Sequence, residues 1–480
     1  MMKNMDLSRR GFLTGSFAFC ACLMSRPARA VLTAAELAAV EAPLPDYYTA
    51  HLDDVARRVN ALSERTVDGF WFVTDLHITA NQRQSGKAIA ALTAKAPRIR
   101  KTFCGGDLPE AFSSRFKSSK AGVDYAIDYY RLFWVEPIEL SGQLVYTAKG
   151  NHDFTIRYDH KTDDGFTCSG LEAKRIVMGS KGCQGANVVT NLDDPEACYY
   201  YLDNDVAKIR YIVADTTDTI NPKAKFWAVV YGMHETQLKW LAEKAIATIP
   251  SGYSAVVVHH IPLTGCVGSD GDARLFRVFR ELLEAYQNRQ KYVLFGKEYD
   301  FTAAEGRILL DITGHHHAER QTFQKGILHV TEPCDAAYGD YDLGSRPWCG
   351  DLPRKTKGTV FEQTFDAVQL DPANDRVYFT RVGGGQDRVI HTRALVAKVG
   401  KPLPFRAPLL EGPLTWGCYD AARIVSKPNP KSRYNPIIEY TNEIATISSD
   451  GVLAPIKPGE IMVVAMDAKL NKEIFPVTVI

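Results

Sequence analysis

Short apolar runs of strand length recur along the chain, separated by longer stretches with helical spacing. The runs are GFWFVT (69–74), LVYTAK (144–149), RYIVAD (210–215), SAVVVHH (254–260), RILLDIT (307–313) and GILHVT (326–331). Between them, ETQLKWLAEKAIA (235–247) and ARLFRVFRELLEAYQ (273–287) read as helices, and residues 31–65 as an N-terminal helical segment. Strands alternating with helices predict a layered α/β domain. In such sheets ligands bind in the loops beyond the carboxyl ends of the strands, so the chemistry is to be sought there.

Polar residues gather at those ends. VTDLHI offers Asp75 and His77, CGGDLPE offers Asp107, KGNHDF offers Asn151 and His152, VVVHHIPL offers His259 and His260, and TGHHHAER offers His315, His316 and His317. Seven of the twelve histidines fall in these segments, which scatter would not produce. Carboxylate, imidazole and amide oxygen together suit Zn, Mn or Fe, and the absence of paired thiolates argues against a structural zinc site. In an extended segment residues i and i+2 share a side, so the D-x-H pair is expected to face one site. The same spacing sends His315 and His317 to the site and turns His316 away.

The rest of the composition narrows the class. At 480 residues, 45% hydrophobic and 24% charged, the chain has room for two or three domains with a sizeable core. A formal net charge of +1 leaves no nucleic-acid footprint and points to a small substrate. SRRGFLTG carries Arg9 and Arg10 ahead of the apolar FAFCACLM and the small-x-small ARA at 28–30, the pattern of a twin-arginine signal peptide over residues 1–30. Its apolar stretch is shorter than the roughly 20 residues a bilayer needs, so no transmembrane anchor is expected after cleavage, and the product is expected in the periplasm or outside the cell. Of ten cysteines, eight remain beyond that signal. Cys104 reads as a buried thiol, whereas Cys168 with Cys183 and Cys334 with Cys349 are close enough in sequence to pair.

The ordered series D-x-H, G-D, G-N-H-D, H-x-P, G-H-x-H resembles the calcineurin-like metallophosphoesterase superfamily over residues 66–390. The resemblance implies a four-layer α/β/β/α sandwich carrying two divalent or trivalent metal ions (Mn, Fe or Zn). It implies hydrolysis of phosphate mono- or diesters by attack of a metal-bound hydroxide. Carried over by motif, one metal falls to Asp75, His77 and His317, the other to Asn151, His315 and the histidine of the fourth motif, with Asp107 bridging. For that fourth position the H-x-P spacing selects His260, whereas alignment with relatives that read HHPP selects His259. His152 matches the imidazole that stabilises phosphoryl oxygens and protonates the leaving group, and Asp153 is expected to orient it. Glu110 stands where relatives carry Asp or an iron-binding Tyr, which argues against a tyrosinate-to-iron colour. The long insert 154–191 is a candidate specificity lid, with Arg157 as a candidate phosphate contact.

Beyond the hairpin-like AVQLDPANDRVYFTRVGGGQDRVI (367–390), the stretches KVGKPLPF (398–405), LTWGC (414–418) and IATISSDGVLAPIKPGEIMVVAMD (444–467), with their D-G and K-P-G turns, make residues 394–480 resemble a bacterial immunoglobulin-like domain of the second group, an all-β sandwich. That domain is the candidate for cell-surface or glycan contact. It also supports an alternative reading, a surface-binding protein in which the phosphoesterase-like part is a scaffold.

Overall fold

The computed structural model of the chain describes residues 33–77, 84–108, 119–153, 155–159, 164–167, 170–218, 232–263, 275–335, 355–420, 424–429, 432–440 and 442–480. The signal-peptide pattern, Glu110, Cys168 and Cys349 lie outside these residues. Arg157 lies on a described strand, but its side chain is outside the described set. Among the described residues no helix is long and apolar enough to cross a membrane.

Helices Ala34–Glu41 and Tyr47–Leu62 precede β1 (Asp68–Val73), helix Gln84–Lys95, β2 (Lys101–Cys104), a helical run over 119–140 and β3 (Leu144–Thr147). The insert forms β4 (Thr155–Asp159), β5 (Asp164–Thr167) and helix Gly170–Val177 before β6 (Val189–Thr190). Then come β7 (Tyr200–Asn204), β8 (Ile209–Val213), a helix over 235–246, β9 (Ser254–Val258), helix Phe276–Gln287, β10 (Lys291–Leu294), β11 (Lys297–Asp300), β12 (Arg307–Thr313), β13 (Arg320–Gln324) and β14 (Ile327–Thr331). The described residues that follow are mainly strands, with short 3-10 helices at Val360–Glu362 and Pro372–Asn374: β15 (Thr364–Asp371), β16 (Arg376–Gly383), β17 (Arg388–His391), β18 (Leu395–Ala397), β19 (Leu403–Pro404), β20 (Thr415–Tyr419), β21 (Ile424–Asn429), β22 (Ser432–Tyr440), β23 (Ala445–Ile447), β24 (Val452–Pro455), β25 (Gly459–Met466) and β26 (Lys472–Val479). All six apolar runs overlap these strands, and the described parts of both helical stretches read from the sequence overlap the helices over 235–246 and Phe276–Gln287.

Two sheets carry the site. One runs β20-β25-β26-β17-β16-β15-β1-β2-β3, the other β13-β14-β12-β9-β8-β7-β6. Strands β1, β2 and β3 are mutually parallel, as are β8, β9, β12 and β14. Side-chain parity shows how they stack. Phe70 and Phe72 of β1 enter a core with Tyr211, Val256 and Ile312 of the other sheet, so the two sheets face one another. Trp71 and Val73 point the opposite way, onto Leu52, Ile89 and Leu92 of the N-terminal helices. On the far side, Val257 and Ala255 pack against Leu238, Phe279 and Leu283 of helices 235–246 and Phe276–Gln287. Strands covered on both faces read as unbroken apolar runs, which is why these were legible. The layers are α/β/β/α, as expected.

The C-terminal region is β-rich as expected, and it shares a sheet with the site. Strand β26 pairs in parallel with β17 and antiparallel with β25. Along β25, Met462 and Val464 enter the core between the two large sheets, while Ile461, Val463 and Ala465 face a separate core with Phe405, Leu453 and Phe475. Cys104 is buried, and burial pushes its thiol pKa well up.

Candidate metal centre

Five loops at the carboxyl ends of β1, β2, β3, β9 and β12 converge, and their backbone is unusual. Asp75, His77, Asp107, His315 and His317 all have positive φ, between 40° and 70°. Non-glycine residues rarely adopt this conformation, and it persists where surrounding structure enforces it. This corrects the extended-segment argument for the D-x-H and H-x-H pairs. Both pairs turn their side chains inward because residues i and i+2 are left-handed within a turn. Glycines let the loops close on each other: a Cβ on Gly150 would overlap the backbone N of Asp107, and one on Gly314 would overlap Thr74.

The side chains form two donor groups that share a carboxylate. Asp75, His77, Asp107 and His317 offer ligand atoms within 4.8 Å of one another, and so do Asp107, His260 and His315. In the first, His317 Nε2 lies 3.0 Å from Asp75 Oδ1 and 3.3 Å from His77 Nε2. In the second, Asn151 Oδ1 lies 2.9 Å from His315 Nδ1 and 3.0 Å from His260 Nε2, which is 3.3 Å from Asp107 Oδ2. The ring of His260 is oriented by its other nitrogen, which donates to the carbonyl of Gly105 at 2.8 Å and so leaves Nε2 for the site. His316 belongs to neither group; its ring packs 5.4 Å from that of His315.

His259 is not a donor to the centre, which corrects its candidacy. It is fully buried, with Nε2 2.6 Å from Asp311 Oδ1 and Nδ1 2.9 Å from the carbonyl of Ile261. Both ring nitrogens are therefore occupied. The other oxygen of Asp311 meets His329 Nδ1 at 2.6 Å. The oxygens of Asp153 accept backbone N–H groups from Gly150 at 2.6 Å, Leu108 at 2.6 Å and Asp107 at 3.2 Å. It thereby staples the β2 and β3 loops together. His152 donates its own N–H to Asp107 Oδ1 at 2.8 Å, and its ring stands edge-on to His77.

Electrostatics splits the imidazoles in each group. Burial alone would keep His260 neutral, but the Asp107 charge outweighs it and raises the pKa to about 9. Burial likewise opposes charge on His317, and Cys334 and Asp75 overcome it, raising that pKa well above the ordinary range. His77 and His315 are held down at about 3, chiefly by burial, then by His152 and His260 respectively. Asp75 and Asp107 sit below the ordinary carboxylate range, because neighbouring imidazoles outweigh their burial. Protons on His260 and His317 thus offset two buried carboxylates, and a pair of cations would do the same. The donor set of two carboxylates, four imidazoles and one amide oxygen, with Asp107 common to both groups, fits two metal ions of the Zn, Mn or Fe class.

Several supporting residues escaped the sequence reading. Lys149 Nζ pairs with Asp215 Oδ2 at 2.6 Å beneath the Asn151 loop, and Asp311 ties His259 to His329. The available signal was a charged residue embedded in an apolar run, in LVYTAK, RYIVAD and RILLDIT.

No protein-family model matches the chain, and no curated protein matches it. Among solved structures it is similar to a purple acid phosphatase from yellow lupin (Lupinus luteus) seeds, at 14% identity over 65% of this chain and 51% of that one, with a TM-score of 0.35. It is also similar to PhoD (10% identity, 68% and 70% coverage, TM-score 0.39) and to a putative 5'-nucleotidase from Staphylococcus aureus (13%, 68% and 54%, TM-score 0.32). The chain spans about half the length of the lupin phosphatase. Its two facing sheets, helices outside them and site loops at the ends of parallel strands make a four-layer α/β/β/α sandwich.

Proposed function

We propose that the chain is an exported phosphoesterase that uses two metal ions to hydrolyse small phosphate mono- or diesters. The observation that carries the reading is the pair of buried donor groups sharing Asp107. When bound, such a cation pair polarises a phosphoryl oxygen and lowers the pKa of water toward neutrality. The chain's own residues do the rest. Asp107, common to both donor groups, would serve both ions, and Asn151 would offer an uncharged oxygen beside His260 and His315. His152 lies beside Asp107, with Nε2 4.0 Å from Oδ2, and its side chain is 14% exposed, so it can meet an arriving ester. An imidazole there can hydrogen-bond the phosphoryl oxygens and pass a proton to the leaving oxygen. Export is supported by the twin-arginine pattern at Arg9 and Arg10.

The test is elemental analysis of the purified protein after Mn or Zn reconstitution, with assays on p-nitrophenyl and bis-p-nitrophenyl phosphate. Two ions per chain and ester hydrolysis are expected, with both lost in Asp107→Ala. Less than one ion per wild-type chain refutes the reading.

A further inference from the structure

The loop that carries His315 and His317 ends in a buried ionic cluster built largely from the opposite sheet. Glu319, two residues past His317, is 2% exposed. Its Oε2 accepts from Arg381 Nη2 at 2.8 Å and lies 3.5 Å from Arg388 Nη1. Its Oε1 accepts from Lys472 Nζ at 3.1 Å and from Gln321 Nε2 at 3.1 Å. The three cations come from β16, β17 and β26. Asp366 of β15 accepts from Arg381 Nε at 2.8 Å and Arg388 Nη1 at 3.0 Å, and Glu332 accepts from Arg388 Nη2.

The pairing of the strands shows why Glu319 is needed there. Asp366 and Arg381 are register partners on β15 and β16, so that ion pair is local to the sheet. Arg388 and Lys472, in contrast, stand directly opposite one another on β17 and β26. Like charges in that relation repel, and burial removes the water that would screen them. Among the described residues, Glu319 is the carboxylate that Lys472 reaches. The sheet thus presents a positive socket, and the loop from the facing sheet supplies the anion. Only Ala318 separates Glu319 from His317, so their Cα atoms are at most about 7 Å apart. A displaced Glu319 carries His317 with it.

We propose that Lys472, with Arg381 and Arg388, anchors Glu319 and thereby sets the position of the His315–His317 loop, making Lys472 of the C-terminal strand a positioning residue for the metal donors. This rests on the metal-centre reading above. Donor positions must hold to within about 0.5 Å for tight binding, and supporting contacts of this kind are worth roughly 10–100-fold in metal affinity.

The test uses full-length Lys472→Met, Lys472→Arg, Glu319→Gln and the Glu319→Gln/Lys472→Met double variant. Each is titrated with Mn(II) against a chelator, with melting temperature and circular dichroism in parallel. The expected result is a folded Lys472→Met that binds one of its two ions about tenfold or more weakly. Lys472→Arg should restore affinity, and the double variant should lose no more than Glu319→Gln alone, because both act through one contact. A Lys472→Met protein with a lowered melting temperature and wild-type affinity for both ions overturns the proposal. If Lys472→Met does not fold, the near-isosteric Glu319→Gln decides in its place by the same criterion. Wild-type protein that takes up no Mn(II) overturns the metal reading and this proposal together, whereas normal wild-type loading with unchanged variants overturns this one alone.

Discussion

Metal uptake should strengthen steeply with pH, and the structure fixes the slope. Each donor group contains one imidazole already neutral, His77 or His315, and one held protonated, His317 or His260. A protonated ring cannot bind a cation, so each ion must displace one proton. For the group containing His260, whose pKa is about 9, apparent affinity should fall tenfold for each pH unit below 9. At pH 7 that is about 100-fold, or roughly 3 kcal/mol of binding free energy. Calorimetric titration with Mn(II) in buffers of different ionisation enthalpy would report about one proton released per ion. Asp107 is the main cause of the raised His260 pKa, so Asp107→Asn should flatten the slope of that group. The metal-free protein provides a second readout. Because the folded pKa of His260 lies above its unfolded value near 6.5, its stabilising contribution is full below pH 6.5 and disappears as pH rises through about 9. Affinity that is flat between pH 6 and 8.5, with no proton release, would refute this account of the site's charge.

Three further outcomes follow from the geometry. In the triplet, His316→Ala should keep two ions, whereas His315→Ala and His317→Ala should each lose one at equal total metal; loss confined to His316→Ala would show that the ligand register is off by one. His259→Ala should retain the metal donors yet cost about 3 kcal/mol in chemical denaturation, because it removes a partner of the buried, ionised Asp311, and a cost below about 1 kcal/mol would contradict that role. Changing Arg9 and Arg10 together to Lys should leave the protein in the cytoplasm, and normal periplasmic levels of the double variant would defeat the signal reading.

The strands and the loop positions of the donors were legible because burial on both faces writes unbroken apolar runs, and because the polar residues that follow each run lie at its carboxyl end. The choice between His259 and His260 was legible only in part: the H-x-P spacing favoured His260, and the parity that decides it is simple. His259 continues the β9 ladder through its N–H to the carbonyl of Ile312, so it shares the helix-facing side with Val257 and sits near Phe279, while His260 turns to the site. Reading this from sequence requires knowing that the strand's alternation runs one residue past its apolar stretch. The D-x-H and H-x-H pairs gave the correct inward residues through the wrong backbone, since spacing alone does not distinguish a strand from a left-handed turn. The partner of β26 was also invisible. The parallel pairing of β26 with β17, some 80 residues earlier, is decided by tertiary packing.

That pairing orders events during synthesis. Strand β26 is an interior strand of its sheet, flanked by β25 and β17, yet it lies at 472–479 in the chain. At roughly 5–20 residues per second a ribosome needs about 4–16 s to travel from the end of β17 to the start of β26. Throughout that interval the outer edge of β17 has unpaired N–H and C=O groups, the kind of edge that recruits other chains. Arg381 and Arg388 have been synthesised by then, whereas Lys472, the third cation of the cluster, has not. Nascent chains released early would therefore be both sticky and lacking part of the socket for Glu319, which exposes them to chaperones and proteases.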